Sequence, residues 1–314
     1  MTSAYKRRFG FCLTHRQREA LVPGTYRAVI DSMTELAGDM DELVLLSSYL
    51  CHPSLANNEL SGPLVLLGLH DWIRAWGRRR KTYRFLLNPE TIGSLCYLFQ
   101  HGPGLQARLD YGLVLTCVSG PDTSLSYKRS RPGDSLLDRL IAHLHRVEPE
   151  RWRVREFDPT SGSDERQYGS PGFKLPMAQM AHSVYGDYPE CHTSGDTKEL
   201  MDTAQLVRTV DQLEPLLLLA EDCGIYLNQQ PYGEPQLGPR GLYPDINTPN
   251  LWDKLGLDAR RTLDRIRYVL NYADGEHDLI QIAELAGCSV RDLVPIAGML
   301  ERHDLLERDA PIQL

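Results

Sequence analysis

The 314-residue chain lacks several features that would place it at once. No apolar run approaches the roughly 20 residues that a membrane-spanning helix needs. Positive charge is not in excess: the formal net charge is −8, which offers no basic field to nucleic acid or to an anionic membrane surface. The seven cysteines, at 12, 51, 96, 117, 191, 223 and 288, are odd in number and form no C-x-x-C pair. Reduced, mostly buried thiols are therefore expected. Cys51 and Cys191 stand apart, because each immediately precedes a histidine. There is no H-E-x-x-H, so the common zincin pattern is missing, and no internal repeat or low-complexity tract is evident. The opening stretch MTSAYKRRFGFCLTHRQRE is basic but has no apolar core of a secretory signal. A cytoplasmic protein without membrane or nucleic-acid partners is the expectation.

What is present is an ordinary globular composition, 42% hydrophobic and 24% charged, on a chain long enough for one large and one small domain. YRAVI (26–30) reads as a short strand and LVLLSSYL (43–50) as a buried central one, apolar throughout rather than alternating. PLVLLGLHDWIRAW (63–76) has helical length. YRFLLNP (83–89) and GLVLTCVSG (112–120) read as further strands, and DSLLDRLIAHLHRV (134–147) as an amphipathic helix. A turn-rich stretch (158–173) precedes the strand-like LPMAQMAHS (175–183), the polar loop YPECHTSGDT (188–197) and a long amphipathic helix over 198–223. This alternation predicts an α/β sheet packed on both faces, with ligands beyond the carboxyl ends of its strands. A proline- and glycine-rich linker (228–250) separates this domain, 1–227, from three helical patterns within 251–314. The last two have the rhythm of a helix-turn-helix with Gly287 at the turn, which predicts a small winged-helix-like domain.

Four polar clusters sit in the loops of the larger domain: His52 to Glu59 in CHPSLANNE, Glu90 in NPETIGS, Asp164-Glu165-Arg166 in SGSDERQY, and His192 in YPECHTSGD. Histidines and carboxylates from separate strand ends are what a zinc site needs, with one further carboxylate as general base. Each residue also has a plainer reading. Glu59 suits the first turn of a helix, Asn57 or Asn58 its N-cap, and Asp164 a loop bend. The coincidence of two histidines and three acids in similar loops favours the metal reading.

HPSLANNELSGP, YRFLLNPETIGS, GSDERQYGSPG and YPECHTSGD, in that order, resemble the bacterial aminopeptidase-like domain proteins. These are often found near polysaccharide or natural-product biosynthesis genes and are similar to the zinc aminopeptidases of the leucine-aminopeptidase and glutaminyl-cyclase clan. The resemblance runs from about residue 8 to 225, and the winged-helix-like appendage also matches. It implies a three-layer sandwich with a mixed, mostly parallel central sheet. It also implies His52 and His192 as metal ligands, joined by Glu59 or by Asn58 in the place of a bridging aspartate. Glu59 is preferred, because a carboxylate binds zinc better than an amide. Glu90 falls on the general base, with no second glutamate beside it as ligand. Asp164 falls on a ligand or on a residue that orients one. Asn58 is a candidate substrate contact, and Arg166, whose planar fork suits a substrate carboxylate, is either a substrate contact or a structural residue. The additional aspartate of two-zinc relatives is replaced by LTCVSG after the third strand, so one zinc ion is expected rather than two. The activity implied is hydrolysis of an amide or peptide bond in a small substrate. Zinc-dependent acyl transfer or cyclisation, or a non-catalytic binding role on a degenerate fold, stand as alternatives, and a homo-oligomer is left open.

Overall fold

A computed structural model describes residues 32–52, 54–120, 124–243 and 259–308. The strand expected at 26–30 lies outside them. The chain divides into two compact units at Leu216/Leu217.

The larger unit is built on seven strands. In chain order they are β1 (Ser32–Leu36), β2 (Leu43–Tyr49), β3 (Thr82–Asn88), β4 (Leu109–Leu115), β5 (Leu125–Lys128), β6 (Trp152–Arg155) and β7 (Met177–Ala181). Their order across the sheet is β1-β3-β2-β4-β7-β5-β6. The four central strands β3, β2, β4 and β7 run parallel, whereas β1 and the β5–β6 pair oppose their neighbours β3 and β7. The sheet is thus mixed and mostly parallel, as expected. All seven residues of β2 are buried, which explains its unalternating sequence: a central strand covered on both faces has no side to give to water.

Helices α1 (Ser61–Ala75), α2 (Ile92–Arg108), α3 (Leu136–Val147), the short α4 (Glu165–Tyr168) and the start of α5 (Thr203–Asp222) complete the unit. Leu43 and Leu45 of β2 join Tyr97, Leu98 and Leu105 of α2 in one core cluster. On the other face α1 lies over Ser48 of β2 and sets His70 edge-on against Phe85 of β3. These are the two outer layers. The sequence reading passed over α2, whose Gly102-Pro103-Gly104 looks like a loop. Tertiary packing overrides it: a Cβ on Gly102 would stand 2.4 Å from the Phe173 ring, so glycine is what lets the helix close on the loop before β7. It also passed over β1, β5 and β6, which are short strands near the sheet edges.

The second unit contains β8 (Ile225–Asn228), α6 (Ala259–Tyr272), β9 (Asp274–Asp278), α7 (Leu279–Leu285), α8 (Val290–Arg302) and β10 (Leu306–Arg308). Its small antiparallel sheet is ordered β10-β8-β9. The three helices match the three expected patterns, and Gly287 takes φ +63 at the turn between α7 and α8, a conformation that favours glycine. An Asp278–Gln281 capping box opens α7. Strand β8 lies in the segment that sequence assigned to the first domain, yet it pairs with β9 and β10. β9 reads DGEHD, a strand made by backbone pairing that no apolar pattern announces.

At the start of α1 the Ser61-Gly62 pair has a packing role. Ser61 Oγ donates to the Asn57 carbonyl and accepts from Val118 N–H at 3.0 Å. A Cβ on Gly62 would meet Ser48 Oγ at 2.2 Å and the Leu115 carbonyl oxygen at 2.3 Å. Gly62→Ala should therefore cost roughly 1–3 kcal/mol through overpacking, read as a lower urea midpoint. Unchanged stability would show that α1 does not press on β2 and β4 this closely.

Candidate functional site

The polar loops follow the carboxyl ends of β2, β3, β4 and β7. Chain order runs from β2 outward to β3 and then back across to β4, so β2/β4 is where the direction of winding reverses, the usual place for a ligand crevice in an open α/β sheet. His52 lies three residues past β2, Glu90 two past β3 and Cys117 two past β4, while His192 belongs to the long loop after β7.

The two histidines come together, with ring centroids 5.0 Å apart. Consecutive residues of the NNE triplet reach one histidine each. Glu59 Oε1 lies 2.7 Å from His52 Nδ1, and its Oε2 accepts from the Cys51 backbone N–H. Asn58 Nδ2 lies 3.5 Å from His192 Nε2. A carboxylate on Nδ1 orients the imidazole and leaves Nε2 as the free donor atom, the usual arrangement behind a metal-bound histidine. Glu59 is 2% exposed. Neither asparagine caps α1: its N-cap is Leu60, without a side-chain bond. The N–H groups of Asn57 and Asn58 instead go to the two carboxylate oxygens of Asp196, at 2.7 and 2.9 Å. Asp196, which the sequence reading did not single out, is fully buried and ties the His192 loop to the His52 loop. Its only sequence signal is a Gly-Asp pair three residues after the histidine.

Glu90 is positioned by the Ser163 hydroxyl, which donates to Oε1. Ser163 is held in turn: its N–H donates to Glu165 Oε2 at 2.9 Å, and Glu165 pairs with Lys128 at 2.9 Å, both side chains fully buried. Arg166 uses Nε on the Ser163 carbonyl at 3.2 Å, so it braces the loop that carries Ser163. Asp164 lies at the foot of the same loop and is fully buried. Its Oδ1 accepts from Thr91 N–H at 2.7 Å and Ser94 Oγ at 3.0 Å, and Oδ2 faces Asn88 Nδ2 at 3.4 Å. It holds the turn that presents Glu90. Burial, with the Glu90 charge nearby, pushes the Asp164 carboxyl up to about 7 against those hydrogen bonds.

One donor atom each from Cys51, His52 and Glu90 lie within 4.8 Å of one another. Cys51 Sγ is 3.1 Å from His52 Nδ1 and 3.9 Å from Glu59 Oε1. Burial, reinforced by the Glu59, Glu90 and Asp164 charges, pushes its thiol up to about 11. Cys117, in the LTCVSG segment after β4, is buried and also pushed up to about 11 by burial; Asn58 Nδ2 lies 3.6 Å from its sulfur. Beneath Asn58, the hydroxyls of Tyr49, Thr116 and Tyr185 form a bonded trio, and Thr116 Oγ1 reaches the Asn58 carbonyl at 3.4 Å. Burial holds both tyrosines well above their ordinary pKa, so they serve as neutral hydroxyls. Ser54, Thr91, Cys117 and His192 all have positive φ, between 50° and 76°. Left-handed backbone at four non-glycine positions of four converging loops is strain of the kind that collects at functional sites.

The donor set fits a zinc ion. Cys51, His52 and Glu90 bring a thiol, an imidazole and a carboxylate within 4.8 Å of one another, the His192 ring lies beside His52, and the Asn58 Oδ1 is buried with no hydrogen-bond partner. A cleft of about 640 Å³ opens beside it, lined by Cys51, His52, Leu55, Leu60, Thr197 and Lys198 among others.

The pH dependence of stability follows from Asp164. An unfolded aspartate ionises near pH 3.8, whereas Asp164 in the fold keeps its proton to about 7. Its contribution is complete below the lower value and is lost as pH rises through the window, at roughly 1.4 kcal/mol per pH unit at most. Asp164→Asn should remove that slope, so that the stability of wild type relative to the variant falls between about pH 4 and 7 and is flat above. Parallel urea curves across the range would contradict it.

The chain was compared with known proteins. Residues 29–222 match the family model described as a domain of unknown function, DUF4910, and residues 224–308 match a winged helix-turn-helix model. A Clostridium acetobutylicum protein named for polysaccharide biosynthesis and an aminopeptidase-like domain is 34% identical over 317 residues, covering 98% of this chain and 70% of its own length. The crystal structure of a peptidase-like protein from C. acetobutylicum superposes with a TM-score of 0.74 at 32% identity, over 88% of this chain. The chain spans 60% of that solved protein. A zinc aminopeptidase from Bacillus subtilis shares the fold at a TM-score of 0.50 and 15% identity, over 60% of this chain and 48% of its own. The chain belongs to the DUF4910 family of aminopeptidase-like domain proteins, with a winged helix-turn-helix at its carboxyl-terminal side.

Proposed function

We propose that the larger unit is a zinc-dependent hydrolase of amide or peptide bonds in small substrates. The observation that carries this reading is the convergence of His52, His192 and Glu90 on one crevice, each held by a buried partner of its own. His52 and His192 would hold the metal, with Glu59 and Asn58 orienting them. Zinc, when bound, would supply Lewis-acid polarisation of the scissile carbonyl. Glu90 takes the proton of the attacking water and returns it to the leaving amine. The Ser163 hydroxyl keeps one oxygen of Glu90 in place, and the Lys128–Glu165 pair keeps Ser163 in place. The Leu55 and Leu60 side of the cleft suits an apolar substrate group, while Lys198 and Glu199 place charges of both signs at its lining.

Two measurements test this. Zinc per chain of the purified protein should fall in His52→Ala and in His192→Ala; unchanged zinc in both would sink the site. Against a panel of aminoacyl amides and short peptides, Glu90→Gln should lose roughly 10²–10⁴-fold in kcat. Full turnover by that variant would remove Glu90 as the base.

For the second unit we propose a role without nucleic acid. Helix α8 carries Asp292 and Glu301 beside Arg291 and Arg302, and Asp292 engages Arg265 at 2.7 Å, a poor balance for phosphate contacts. Mobility-shift titrations with duplex DNA should show no binding that weakens steeply with salt; such binding would overturn this role.

A further inference from the structure

Resting on the metal reading above, we propose that Cys51 is itself a metal ligand, so that the site is a His-His-Cys centre rather than a carboxylate one. Two neutral imidazoles need an anionic donor beside them, and each carboxylate of the site is already engaged. Asp164 is sealed beneath the Glu90 turn by Thr91, Ser94 and Asn88. Glu59 spends its two oxygens on His52 Nδ1 and the Cys51 N–H. Glu90, held by Ser163, is the one carboxylate placed to act as base, and it has no neighbouring glutamate to share the work.

The remaining donor is the Cys51 thiol. It belongs to the same group as His52 and Glu90, all within 4.8 Å. Its sulfur lies 3.1 Å from His52 Nδ1, against the ring of the proposed histidine ligand. The buried Asn58 Oδ1, which has no partner, points independently to a ligand in this crevice. On binding, the thiol proton leaves to solvent and a sulfur lone pair goes to the cation, so one thiol proton is released per metal bound. Cys51 also lines the cleft, open to incoming metal.

Cobalt reports directly on thiolate coordination. The Co²⁺-loaded wild type should show a near-ultraviolet thiolate-to-metal charge-transfer band that persists in Cys191→Ala and Cys117→Ala. In Cys51→Ala and Cys51→Ser the band should vanish and Co²⁺ affinity fall roughly tenfold or more, with far-ultraviolet circular dichroism unchanged. Iodoacetamide followed by mass spectrometry should label Cys51 in the metal-free protein and spare it once zinc is added. A wild type that binds cobalt without the band, or a Cys51→Ala protein that keeps band and affinity, would overturn the proposal and leave the metal site standing. A wild type that binds neither zinc nor cobalt would overturn both.

Discussion

The site depends on one bidentate contact. The Asp196 carboxylate receives the N–H groups of Asn57 and Asn58, 139 and 138 residues away in sequence, and the Ala56 N–H donates to the Asp196 backbone carbonyl. Two loops that leave different strands are thereby clamped edge to edge, and with them His52 and His192. A buried carboxylate without such donors would bear a desolvation cost of several kcal/mol. Here the backbone amides of two turn residues ahead of helix α1 offset it. The same bonds turn the NNE triplet so that Asn58 meets one histidine and Glu59 the other. Strain at Cys117 is tolerated in a fully buried residue whose surroundings fix its backbone.

The acids of the crevice show how environment divides labour among identical groups. Asp164 is buried with three polar donors and keeps its proton to about neutrality; it is a brace. Glu165 is buried with Lys128 and anchors a loop. Glu59 is buried against an imidazole and orients it. Glu90 is partly open, with one oxygen held by a hydroxyl. Sequence nominates such residues by type, but the role of each is decided by what has been brought against it. The two-residue offset between Ser163 and Glu165, by contrast, lets one loop serve both as anchor and as positioning arm.

Much of the fold was legible in sequence because it rests on short-range physics. The unalternating run of β2 announces a strand covered on both faces, the amphipathic pattern at 134–147 announces α3, and Gly287 marks the turn of the helix-turn-helix. What escaped was made by partners distant in sequence. Helix α2 carries a Gly-Pro-Gly that locally reads as a break, yet in the fold its Gly102 is where the helix closes on the Phe173 ring. Strand β9 has no apolar residue to betray it and exists because β8 offers a backbone edge. Strand β8, within what reads as the end of the first domain, belongs to the second sheet for the same reason.

The sequence by itself determined the chemical inventory: two histidines, each after a cysteine, and a handful of acids in polar loops beyond buried strands, on an α/β scaffold with a winged-helix appendage. Whether Asn58 or Glu59 stood toward a metal was beyond it, since neighbouring residues differ there only in the direction of a loop. Tertiary structure decided that each has its own histidine, that Asp164 lies beneath the site, and that Asp196 closes it. Apart from the Glu59–His52 contact, which spans seven residues, those outcomes turn on hydrogen bonds between residues roughly 70 to 140 positions apart, which local pattern does not encode.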